Sequence, residues 1–104
     1  MSKIKLQSEY DNLDKYKDIL GNIYYYKKNT YIRHNPYGPA IIWINGSKFY
    51  FIEDKCHRLD GPAAVYKDDE NYYYINNKQL TKEEFELHPE RLKFLNKEYL
   101  LCLK

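Results

Sequence analysis

The chain has 104 residues, 43% of them hydrophobic and 31% charged, a size and balance that predict one globular domain with a small core and exclude a disordered chain. Seventeen basic residues oppose fifteen acidic ones for a formal charge of +2, and their scatter argues against a nucleic-acid backbone binder, although folding could gather Lys3, Lys5, Lys15, Lys17, Lys27, Lys28 and Arg33. The N-terminus MSKIKLQSEY lacks the apolar core of a secretory signal and the longest apolar run, 99–103, is too short to span a bilayer, so no membrane association and a cytoplasmic location are expected.

In chain order, the first predicted element is a helix over 8–21. Ser8-Glu9-Tyr10-Asp11 reads as a capping box, Leu13, Tyr16 and Leu20 recur at helical spacing, and Gly21 closes the stretch. A repeat follows. Sliding the chain by 23 positions superposes His34 on His57, Gly38-Pro39-Ala40 on Gly61-Pro62-Ala63, and Phe49-Tyr50-Phe51-Ile52 on Tyr72-Tyr73-Tyr74-Ile75. A partial copy precedes these at Tyr24-Tyr25-Tyr26. Such a period means stacked supersecondary units.

Each unit holds two short β-favouring runs, such as 40–44 and 48–52, around Asn45-Gly46 or Asp68-Asp69, which predicts a β-hairpin. Glu53-Asp54 and Asn76-Asn77 read as reverse turns joining successive strands, and the Gly-Pro pairs as links between hairpins. A two-residue Asn45-Gly46 loop would set Ile42 against Phe49 and Ala40 against Phe51, with Val65 against Tyr72 and Ala63 against Tyr74 in the next unit, on the core face. The other face would carry an aromatic row of Tyr25, Trp43, Tyr50, Tyr66 and Tyr73. At the C-terminus, Thr81-Lys82-Glu83-Glu84 is a capping box for a short helix, and Pro89 can begin another through Leu92 and Leu95. The predicted class is mainly β (α+β): stacked antiparallel hairpin repeats forming one meander sheet over 22–80, with helical caps at 1–21 and 81–104.

The aromatic strand, turn, His-Arg-Leu-Asp-Gly-Pro-Ala segment at 57–63 and second strand resemble divergent MORN-like β-hairpin repeats of bacteriophages and large DNA viruses, over about residues 24–85. The chain has only four glycines, where ordinary MORN units carry more, and its first copy reads His34-Asn35-Pro36-Tyr37-Gly38 without the Arg and Asp of the second. The resemblance implies a viral accessory protein acting as a scaffold or binding surface on a host protein, with inhibition of host defence as one outcome.

Catalytic chemistry has little to stand on. His57, Arg58 and Asp60 invite an acid–base reading, but Asp before Gly-Pro is ordinary turn chemistry, Arg58 is expected to pair with Asp60, and no nucleophile stands at a motif position. His34, His57, His88, Cys56 and Cys102 have no metal-ligand spacing, and no phosphate loop occurs, so no cofactor is expected. The two cysteines lie outside any CxxC pattern and read as free thiols of a reducing compartment, with Cys56 directed to the core beside Phe51. The aromatic row either packs beneath the helices or binds a protein partner. The alternative function is sequestration of a nucleotide ligand, in a pocket between subunits of an oligomer, with stacking on the aromatics and phosphate contacts from Arg33, Arg58 or Lys residues; His57 adds a polar candidate.

Overall fold

The computed structural model describes residues 2–102, with side chains described through residue 97. Its elements are β1 (Lys3–Leu6), β2 (Leu13–Asp18), β3 (Ile23–Lys27), β4 (Ile41–Ile42), β5 (Lys48–Phe49), β6 (Phe51–Ile52), β7 (Lys55–Cys56), β8 (Ala64–Val65), β9 (Asn71–Ile75), β10 (Lys78–Leu80), α1 (Lys82–Glu86) and α2 (Pro89–Cys102). Eight strands form one antiparallel sheet in the order β1-β2-β3-β4-β5-β8-β9-β10, and β6 pairs with β7 in a separate small hairpin. The mainly-β meander is therefore as expected, and the two C-terminal helices are present.

The hairpin loops share one hydrogen-bond plan. Trp43 N–H donates to Ser47 O at 2.9 Å and Gly46 N–H to Trp43 O at 3.0 Å; Tyr66 with Glu70 and Asp69 with Tyr66 repeat both bonds, as do Asp18 with Asn22 and Gly21 with Asp18. The residue closing each turn is left-handed: Gly21 at φ 98°, Gly46 at φ 96° and Asp69 at φ 64°. This is a three-residue loop with a bulge, not the expected two-residue loop. The register shifts accordingly. Ile41, not Ile42, faces Phe49, and Ala64, not Val65, faces Tyr72, so the side chains assigned to one face divide between two. Asp69 bears a left-handed conformation that the other loops give to glycine, so Asp69→Gly should raise stability by about 0.5–1 kcal/mol, read as a higher urea midpoint at unchanged slope.

The reverse turns are as read. Glu53-Asp54 (φ 47° and 68°) and Asn76-Asn77 (φ 50° and 70°) each place two residues in the left-handed region, the requirement of a type I′ turn, and they join β6 to β7 and β9 to β10. The first copy has a longer loop, with Lys27 N–H donating to Ile32 O. Tyr25 and Tyr50 are consequently 25 positions apart, against 23 for Tyr50 and Tyr73.

The N-terminal helix is a correction: this segment forms β1 and β2. Leu13, Tyr16 and Leu20 carry helical spacing, but Asp14 and Asp18 are both buried, and each serves as an acceptor for a loop. Asp14 Oδ2 accepts from Asn29 N–H at 2.8 Å, and Asp18 Oδ1 accepts from Leu20 and Asn22 N–H at 3.0 Å each. A lone amphipathic helix of this length is marginal, whereas β2 gains five paired positions on β3 and closes an edge left open.

At the other end, the Thr81 capping box forms as read, with Thr81 Oγ1 accepting from Glu84 N–H and Glu84 Oε1 from Thr81 N–H. It starts α1 so that Phe85 enters a small cluster with Ile75 and Leu80, flanked by Leu59 and Tyr73. The molecule measures 42 × 33 × 20 Å, a slab in which α1 packs against β9 and β10. Among the described residues, no helix is long and apolar enough to cross a membrane.

Candidate functional site

Strand alternation sorts the aromatics onto two faces. Tyr16, Tyr24, Ile41, Phe49, Ala64 and Tyr72 are successive cross-strand partners and share one face. On it, Trp43 meets Phe49 edge-on at 4.7 Å, Phe49 meets Tyr66 at 5.3 Å, and Tyr66 meets Tyr72 at 5.7 Å. Tyr26 continues the row past Tyr24 and is flanked by Tyr31. Trp43 keeps 39% and Tyr66 36% of its surface exposed, and α1 sets Phe85 against Tyr73 of the opposite face.

The neighbouring residues Tyr25, Tyr50 and Tyr73 occupy the opposite face and are each covered. Tyr25 is buried, and its hydroxyl donates to the Glu9 carboxylate at 2.9 Å with the Tyr10 ring alongside; burial and Glu9 push its phenol far above the ordinary value. Tyr50 carries the Arg58 guanidinium 4.0 Å above its ring, and Tyr73 lies 4.6 Å from Phe85. The predicted row of five is thus two sets. Trp43 and Tyr66 join the uncovered ladder; Tyr25, Tyr50 and Tyr73 do not. Phe49 and Tyr72, assigned to the core by the slipped register, complete that ladder, and the signal for them was Gly46, which suits a bulged loop as well as a two-residue one.

The polar candidates organise the backbone. His34 Nδ1 accepts from Glu53 N–H at 2.9 Å and His57 Nδ1 accepts from Asn76 N–H at 3.0 Å, so each repeated histidine holds the first residue of a left-handed turn and keeps its proton on Nε2. Burial lowers the pKa of both imidazoles. Arg33 Nε donates to Asp54 Oδ1 at 2.6 Å while its guanidinium covers the Phe51 ring at 4.1 Å, and its hydrogen bond holds the Asp54 carboxyl below the ordinary value. Arg58 Nε donates to Asp60 Oδ1 at 2.8 Å, the local pairing expected, and Nη1 donates to Pro62 O at 3.1 Å. Gly61 leaves the room for this, since a Cβ there would stand 3.1 Å from the guanidinium carbon.

The first copy performs the same task with a carboxamide. Asn35 Nδ2 donates to Pro39 O at 2.9 Å, and Asn35 Oδ1 accepts from Tyr37 N–H. The missing Arg and Asp of that copy are therefore replaced by one residue. Between the two Gly-Pro links lies an open groove of about 500 Å³, lined by Tyr37, Tyr50, His57, Arg58, Asp60 and, from α2, Phe94. A phosphate entering it would have to compete with Asp60 and Pro62 O for Arg58.

Cys56 is a buried free thiol opposite Phe51, as expected, and burial pushes its pKa up to about 11, which leaves it unreactive at neutral pH. Cys102 lies outside the described side chains. Among the described residues, no group of three His, Cys, Asp or Glu side chains converges to hold a metal ion. No family model matches the chain, and neither a curated protein nor a solved structure matches it.

Proposed function

We propose that this chain is a non-enzymatic binding protein that engages a protein partner through the uncovered aromatic face. One observation carries the reading: the Trp43–Phe49–Tyr66–Tyr72 ladder runs unbroken from the end of β4 to β9 and leaves both Trp43 and Tyr66 more than a third exposed. Aromatic side chains held edge to face lose little entropy on binding and present large apolar area with polar rims, the composition of interface hot spots. The resemblance to viral repeat proteins supports a host protein as that partner. Nucleotide sequestration ranks second, resting on the groove beside Tyr50 and His57.

The test compares proteins retained by the immobilised chain with those retained by a Trp43→Ala/Tyr66→Ala variant, using a lysate of the cells in which the chain is naturally expressed. Both positions are partly exposed, so the variant is expected to fold. A specific species should lose roughly thirtyfold or more in affinity for the variant, the scale of at least one hot-spot truncation. Equal retention at equal thermal stability removes this face from the function.

A further inference from the structure

At the β8–β9 end of the aromatic face is a cleft of about 260 Å³. Tyr66, Tyr72 and Tyr74 wall it, and the carboxylates of Asp68 and Glu70 stand at its rim. Tyr66 and Tyr72 are perpendicular, Tyr72 Oη donates to Glu70 Oε2 at 2.9 Å, and Tyr74 Oη donates to Gln79 Oε1 at 3.4 Å. None of the ion pairs among the described residues uses Asp68 or Glu70. Ring faces and unpaired carboxylates together attract a cation.

The other hairpins show what such a place holds. Tyr24 and Tyr26 are the counterparts of Tyr72 and Tyr74, and the Lys3 ammonium lies 4.1 Å from the centre of the Tyr24 ring and bonds the Tyr26 hydroxyl. Tyr24 Oη donates to Asp18 Oδ2 at 2.9 Å, as Tyr72 does to Glu70. In the second hairpin the Arg33 guanidinium covers Phe51, the counterpart of Tyr74. The third hairpin has the rings and the carboxylates, and no cation of the described chain lies over Tyr72 or Tyr74. Ala64 stands there opposite Tyr72, where the first hairpin sets Tyr16 opposite Tyr24, so the floor is open.

We propose that this cleft is a subsite for an alkylammonium group, a lysine side chain presented by the protein partner. The assignment rests on the aromatic face being a contact surface and adds the chemistry that anchors one end of it. Charge complementarity selects the occupant: two rim carboxylates and three phenol rings suit a compact, positively charged head on an apolar stem.

Nuclear magnetic resonance titration of the full chain tests it, with N-acetyl-lysine methylamide and its trimethylated form as probes, N-acetyl-norleucine methylamide as the uncharged control, and spermidine as a free amine. Saturable shifts confined to Tyr66, Tyr72 and Tyr74 are expected for both lysine probes and not for norleucine, with an affinity lowered about tenfold or more in the exposed-loop variant Asp68→Asn/Glu70→Gln. No saturation by either lysine probe, or an unchanged response in that variant, overturns the subsite. Saturation by spermidine alone overturns the lysine assignment in favour of a small free amine. Probe binding by the parent chain while Trp43→Ala, which lies outside the cleft, leaves partner capture intact removes the wider face but keeps the subsite as an amine site; loss of capture in Trp43→Ala with no probe binding by the parent chain keeps the face and removes the subsite.

Discussion

Phe85→Ala is expected to destabilise the protein by about 3–5 kcal/mol, the range for truncating a buried phenylalanine. Phe85 is 2% exposed and is the residue through which α1 enters the Ile75–Leu80 cluster; its ring also packs at a tilt against Tyr73 and lies beneath the Arg91 guanidinium. A domain of this size has a margin of roughly 5–15 kcal/mol, so the variant forfeits a large share of it. Urea unfolding followed by helical circular dichroism and by fluorescence of Trp43, the chain's single tryptophan, separates two consequences. The helical signal should melt earlier than the Trp43 signal, because Phe85 packs on Tyr73 of the face opposite to the Trp43 ladder. A loss below about 1 kcal/mol, in the range of an ordinary surface change, would show that α1 is held by something other than this ring.

Acidification from pH 7.5 to 5 is expected to remove about 1–2 kcal/mol, the worth of two hydrogen bonds to neutral imidazoles. Burial lowers the pKa of His34, aided by Lys27 and opposed by Glu53, and lowers that of His57, aided by His88 and opposed by Glu90. The unfolded chain binds protons at the ordinary imidazole value and the folded chain only below it. The contribution is therefore complete above that ordinary value, declines as pH falls through it, and is gone below the folded values. Protonation at Nδ1 also replaces an acceptor by a donor facing Glu53 or Asn76 N–H, which breaks the turn contact. Asp54 and Glu53 are themselves held below their ordinary values by Arg33 and Lys27, so above pH 5 they stay ionised and do not confuse the measurement. His34→Ala/His57→Ala should be less stable at pH 7.5 and show a flatter profile to pH 5. Parallel profiles for variant and parent would exclude the imidazoles as the cause.

The Gly-Pro-Ala pairs and the paired turn residues made the hairpin order legible, because those residue types act on the backbone directly: proline removes a donor and asparagine tolerates a left-handed turn. The C-terminal capping box was legible for the same reason. Face assignment was not, since Asn45-Gly46 is compatible with two loop lengths one residue apart, and the difference lies in Trp43 N–H reaching Ser47 O. The N-terminal hairpin was hidden behind a competing local signal. Leu13, Tyr16 and Leu20 spell a helix, while the case for a strand rests on Asp14 and Asp18 serving loops that only the folded chain brings near. The acidic-aromatic cleft lay beyond reach for the related reason that Tyr66, Tyr72 and Tyr74 converge only in the bulged register.

Across the copies, one hydrogen-bond scaffold is built with changing residues. Asn22 and Ser47 each accept from a backbone N–H of the following loop, at Ile44 and Lys67; Asp54 and Asn77 each accept from a backbone N–H beside their turn, at Arg33 and Cys56; Asn35 and Arg58 each bind the proline carbonyl. What each position requires is an acceptor or donor at the right reach, and several side chains satisfy it. Sequence drift can then proceed at low cost to foldability, and a duplicated unit can diverge soon after it arises. On the proposed binding reading, the outward aromatics are left as the part that selection can retarget while the architecture stands still.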